Sequence, residues 1–126
     1  MGVYYSQKRI FEKTGVYASM INMRVAGAKG GISGGTYNSL SNVLEEARVN
    51  KDVRKTLINP YGLNPVGKQF GPDKNDLQKV IFDKISKSWI APFVMAGINT
   101  KIVRRSHALI DFKYGSYFSY DEATLR

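Results

Sequence analysis

The run PFVMAGINTKIVRRSHAL at positions 92–109 constrains the fold more than any other stretch of this chain. Met95, Ile98, Ile102 and Leu109 recur at helical spacing and give one apolar stripe, which Phe93, Ala96, Thr100 and Val103 widen. Pro92 suits a first helical turn, because its missing N–H would have no partner there. Gly97 costs roughly 1 kcal/mol relative to alanine in such a helix, and it allows close approach of another backbone.

A second periodic run, TYNSLSNVLEEARVN at 36–50, places Leu40, Val43, Leu44 and Ala47 at i, i+3, i+4 and i+7. Asn50 can cap a short helix through Leu57, with Val53 and Leu57 turned inward, and Asn59-Pro60 ends it. Residues 16–25 read as a strand, with Val16, Ala18, Met20, Met23 and Val25 and a slip in the alternation near Asn22. Gly27, Gly30 and Gly31 break regular structure after it. Residues 61–76 read as a loop carrying Gly62, Pro65, Gly67, Gly71 and Pro72, long enough to suggest a function. Val80, Phe82 and Ile85 suit a short extended piece, and YGSYFSYDEA at 114–123 suits a short edge strand. Residues 1–15 are polar and mixed and read as an irregular N-terminal lead-in. The expectation is an α+β chain with two main helices and a few strands, with residues 16–126 forming one region.

Lysine and arginine number 19 against 10 acidic residues, for a net charge of +9, which favours an anionic partner. The absence of cysteine excludes disulfides, thiolate nucleophiles and cysteine-based zinc sites. His107 is the single histidine, so no histidine pair exists for a metal, and none is expected to bind. No apolar run reaches membrane-spanning length, and the first fifteen residues lack the apolar core of a signal peptide. These features suit an intracellular chain, either cytoplasmic or held peripherally at a membrane or lipid droplet. Nucleic acid is disfavoured, because no basic arm or paired aromatic signature accompanies the charge.

GGISGGT at 30–36 sits between a strand and a helix, where backbone amides can hold an anion. Gly31, Gly34 and Gly35 do not give the dinucleotide spacing, and no Gly-Lys-Ser/Thr follows as in a Walker loop. Ser33 also lacks the neighbours of a nucleophile elbow. The plainer reading is a helix cap with Ser33 as the capping residue. Ser33, Gly34, Gly35 and Thr36 are retained as candidate substrate- or cofactor-edge residues. Lys101, Arg104, Arg105 and His107 form a basic helix end, with Arg104 and Arg105 about 100° apart around the axis. Asn99 offers an amide on the same helix. Asn99, Arg104, Arg105 and His107 are the candidate catalytic set. Trp89 reads as a packing anchor, and Asp73 and Asp76 as too isolated for a general acid–base pair.

The segments GGISGGT at 30–36, NPYGLNP at 59–65, WIAPFVMAGINTKIVRRSHAL at 89–109 and YGSYFSYDE at 114–122 occur in that order. Together they resemble the saccharopine dehydrogenase-like oxidoreductases, a family that includes the trans-acting enoyl reductases. The resemblance covers the chain from about Val16 onward. It implies a partial second region of a Rossmann-type oxidoreductase, a fragment lacking the N-terminal Rossmann domain. The whole enzyme would transfer hydride between NAD(P) and a carbon–carbon double bond in lipid or glycolipid biosynthesis. This chain alone is then expected to bind no cofactor and to be inactive. Its implied partners are the missing Rossmann domain and a lipid-linked substrate or membrane surface, with self-association through uncovered apolar faces. The resemblance assigns no acid, base or nucleophile, so both candidate sets could be structural. The alternative is a non-enzymatic basic module associating with anionic membranes or, less readily, with nucleic acid.

Overall fold

The computed structural model describes residues 1–27 and 33–126. Its elements, in chain order, are α1 (Gly2–Thr14), β1 (Met20–Val25), α2 (Gly34–Val49), α3 (Lys51–Ile58), β2 (Ile81–Asp83), β3 (Ser88–Ala91), α4 (Ala96–Leu109) and β4 (Ser119–Leu125). The strands form one mixed sheet in the order β1-β4-β3-β2. β1 runs parallel to β4, from Met20 opposite Ser119 to Val25 opposite Thr124. β3 is antiparallel to β4 and to β2. The class is α+β, as the sequence predicts.

β4 corrects one expectation. The tail forms a strand, but it lies between β1 and β3 and is internal rather than an edge. The parallel β1–β4 pair joins strands from opposite ends of the chain, a pairing that local alternation in the tail does not reveal. β3 also escaped the sequence reading, which took Trp89 only as a packing anchor. The β2–β3 turn is held by Asp83, whose carboxylate accepts from the Ile85 and Ser86 amides and the Ser86 hydroxyl.

The N-terminal lead-in is helical rather than irregular. Its anchor is polar, which explains why apolar periodicity misses it. The fully buried Gln7 amide donates to the Ala18 carbonyl and accepts from the Ala18 N–H, both at 2.8 Å. Gly15, at φ 77°, ends the helix in the left-handed conformation and donates to the Phe11 carbonyl.

α4 begins at Ala96 rather than near Pro92, after a turn in which the Ala96 N–H donates to the Phe93 carbonyl. Its buried face overlaps the predicted stripe only at Ala96 and Thr100. Ile102 and Leu109 are exposed, whereas Ala96, Thr100, Lys101, Arg104, His107 and Ala108 face inward. A buried polar stripe is stable only if its groups find partners. Those partners come from β4, on which α4 packs, and from the loop after residue 70. The hydrophobic core is correspondingly small: Tyr61, Ile90, Ala91, Ala96, Ala108, Phe118, Tyr120 and Ala123.

α2 packs against α3 and has no fully buried residue. Asn50 closes one helix and opens the next: its N–H donates to the Glu46 carbonyl and its side chain accepts from Asp52 and Val53. Among the described residues, no helix is long and apolar enough to cross a membrane.

Candidate functional site

The inward face of α4 meets β4 and the loop at 72–76 in a continuous polar network. Arg104 is its first node. Nε donates to Asp73 Oδ2 at 2.8 Å, Nη1 to the Pro60 carbonyl at 3.0 Å and Nη2 to the Tyr120 carbonyl at 3.3 Å. The guanidinium carbon lies 5.6 Å from the centre of the Tyr61 ring. The Tyr61 hydroxyl accepts from the Asp73 N–H at 2.7 Å, and Asp73 Oδ1 accepts from the Tyr120 N–H at 3.2 Å. With all three guanidinium nitrogens engaged, Arg104 acts as a clamp between the loop and β4.

Glu122 is the second node. Its carboxylate accepts from the Tyr120 hydroxyl at 2.8 Å and from Asn99 Nδ2 at 3.1 Å. Burial pushes the Glu122 carboxyl upward, and the Asp76 charge adds to this; the two hydrogen bonds and Arg104 oppose it. Burial, then Glu122 itself, pushes the Tyr120 hydroxyl up as well. Asp76 is held by the Thr100 hydroxyl at 3.1 Å. Lys101, buried beside it, donates from Nζ to the Gly97 carbonyl one turn back at 2.8 Å. Burial pushes the Lys101 ammonium down, with Asp76 opposing and Arg104 assisting.

Two cavities flank this network. One, of about 300 Å³, lies between the end of α3 and the loop, with Leu57, Ile58 and Pro60 on one side and Asp76 and Lys101 on the other. The larger, an open groove of about 450 Å³, includes Met20, Asn22, Ile81 and Ile90 in its lining. There Arg24 bridges Asp83 at 3.1 Å and Asp121 at 2.8 Å.

The structure divides the predicted catalytic set. Asn99 and Arg104 belong to the network. His107 lies among Phe112, Tyr114 and Phe118, stacked on Tyr114 at 5.0 Å. Its Nε2 accepts from the Tyr114 N–H at 3.1 Å, and burial lowers its pKa, so it is held neutral within an aromatic cluster. Arg105 is exposed and donates to the Leu63 carbonyl at 2.6 Å. Ser33, Gly34, Gly35 and Thr36 sit at the start of α2. Ser33 Oγ accepts from the Thr36 N–H at 3.2 Å, so it is the cap, while Gly30 and Gly31 lie outside the described residues. Sequence reasoning missed Tyr61, Tyr120 and Glu122 and dismissed Asp73 and Asp76 as isolated. The available signal was the continuation of the Ala96 and Thr100 spacing to Arg104, His107 and Ala108, which marks one helix face of small and polar residues. Among the described residues, no group of three or more metal-binding side chains is assembled.

No protein-family model and no solved structure matches the chain. Curated proteins do. A Mycobacterium tuberculosis H37Rv protein named "Putative trans-acting enoyl reductase" is 41% identical over 108 residues, covering 80% of this chain and 26% of that protein. The chain is similar to trans-acting enoyl reductases. The trans-acting enoyl reductase of Mycobacterium bovis BCG is 31% identical over 97 residues, covering 72% of this chain and 23% of that protein. That of Mycobacterium ulcerans is 30% identical over 96 residues, covering 71% and 23%. The chain thus spans about a quarter of the length of the curated relatives it matches.

Proposed function

We propose that this chain forms the substrate-side region of an enoyl reductase acting on an acyl chain with a double bond conjugated to its carbonyl, as in lipid or glycolipid biosynthesis. The reading is carried by the 41% identity over 80% of the chain to a protein bearing that name. The buried network of Asp73, Arg104, Glu122, Tyr120 and Asn99 supports it, since ionisable groups held by one another beside a cavity are common at reactive sites.

NAD(P) is the reductant expected of such an enzyme. The sequence does not fit it here: Gly31, Gly34 and Gly35 lack the dinucleotide spacing, and Ser33 is spent on its own helix. In this reading the nucleotide is held by a Rossmann domain outside these residues, and this chain contributes the acyl side.

The test is a chimera in which this chain replaces the matched segment of the 41%-identical relative. NAD(P)H consumption is followed with an enoyl thioester such as crotonyl-coenzyme A. The expected outcome is turnover that depends on both compounds. A folded chimera that does not turn over, beside an active parent, would sink the reading.

A further inference from the structure

Lys101 is the least satisfied charged group on the inward face of α4. Its side chain is buried, at 5% exposure, and its ammonium has three N–H donors. One donates to the Gly97 carbonyl, and the other two have no acceptor among the described residues. A buried ammonium left in that condition is costly unless its free donors reach water or a ligand. Lys101 lines the cavity of about 300 Å³ beside α3, which is the size of small ligand sites.

The lining selects the ligand. Asp76 shares the cavity and disfavours a second negative charge there. Leu57, Ile58 and Pro60 supply an apolar wall suited to a short alkyl segment. Asn75 and Gln78 add amides. A neutral molecule with one strong acceptor oxygen and an apolar stem satisfies all three conditions. A free carboxylate or phosphate satisfies the lysine but opposes Asp76.

We propose that this cavity binds the carbonyl oxygen of an acyl thioester, with Lys101 Nζ donating to it. The inference deepens the enoyl-reductase reading and rests on it for the thioester. An ammonium hydrogen bond draws electron density toward the oxygen, and in a conjugated system it also draws density from the far carbon of the double bond. Lys101 is therefore the binding and polarising residue for the acyl group.

The experiment uses this chain and the N-acetylcysteamine thioester of crotonate, labelled with 13C at the carbonyl. Isotope-edited infrared spectra are recorded with and without protein. The expected result is a carbonyl band at lower frequency on binding. Lys101→Met should abolish that displacement and weaken binding by about tenfold or more, the equivalent of a lost hydrogen bond to a charged donor. Leu57→Trp, which fills the apolar side without touching the lysine, should block binding. Arg9→Ala, at an exposed position on α1, should leave the band displaced. An undisplaced band in the wild-type chain, or a displacement that survives Lys101→Met, overturns the proposal. If Lys101→Met does not fold, the Leu57→Trp result and the 15N resonance of Lys101 Nζ in the wild-type chain decide: unchanged binding or an unmoved resonance overturns it. A chimera without turnover leaves this infrared result standing. Turnover that survives Lys101→Met removes this proposal and leaves the functional reading intact.

Discussion

Asp73 Oδ2 and Arg104 Nε meet at 2.8 Å across 31 residues of sequence, and the same aspartate receives the Tyr120 N–H. One carboxylate thus ties the loop, α4 and β4 together. Removing it strands a guanidinium that is 5% exposed. Asp73→Ala should cost about 3–5 kcal/mol, as breaking a buried ion pair does, read as a lower urea midpoint. The double variant Asp73→Ala with Arg104→Met should lose clearly less than the sum of the singles. Additive losses would show that the two side chains act independently.

How far this arrangement could be read from sequence depends on which forces are local. The Asn50 cap, the α3 stop at Asn59-Pro60 and the Ser33 cap are short-range hydrogen-bond chemistry, and the structure has each of them. α4 was visible as a helix, but its orientation was not. Ile102 and Leu109 are apolar and exposed, while Lys101 and Arg104 are polar and buried. Hydropathy assigns the inward face by the cost of burying charge, and that cost is offset here by Asp73, Asp76 and Tyr120, whose positions depend on tertiary structure. The internal place of β4 has the same origin, because its parallel partner lies about a hundred residues away in sequence. α1 was missed because a glutamine, rather than an apolar stripe, fastens it.

Glu122 gives the protein a defined pH dependence. Its folded pKa is raised above the ordinary 4.5, chiefly by burial. Below 4.5 both folded and unfolded chains hold this proton. As pH rises past that value the unfolded chain ionises first, so the stability Glu122 contributes falls until the folded carboxyl ionises too. Glu122→Gln removes this loss and can keep both contacts if the Asn99 amide turns over. Urea midpoints measured from about pH 4 to pH 7 should show the variant gaining on the wild-type protein as pH rises. A constant difference across that range would exclude Glu122 as the source.

Two glycines lie where no side chain fits. A Cβ on Gly62 would fall on the Thr56 carbonyl oxygen, and one on Gly71 on the Tyr61 hydroxyl. Gly62→Ala should cost about 1–3 kcal/mol, the usual range for overpacking, because the obstacle is backbone. Gly71→Ala should act through the site, by displacing the hydroxyl that accepts from the Asp73 N–H. Its signature is a changed Tyr61 ring environment in the nuclear magnetic resonance spectrum, and Tyr61→Phe should already have lost the hydrogen bond that the alanine disturbs. A Gly71→Ala protein with an unmoved Tyr61 resonance would show that the loop absorbs the methyl elsewhere.

The glycine-rich start of α2 can be tested as a cap. Ser33 Oγ accepts from the Thr36 N–H, and a Cβ on Gly35 would meet nothing within 4 Å. If the segment serves only to begin a helix, Ser33→Ala should destabilise α2 by about 1 kcal/mol. Gly35→Ala should stabilise it by up to about 1 kcal/mol, since alanine is the better helix former and has room. Because α2 buries no residue fully, the changes should appear in the exchange rates of α2 amides before they appear in global unfolding. A Gly35→Ala variant whose α2 amides exchange faster would mean that the glycine backbone is needed for something other than the cap.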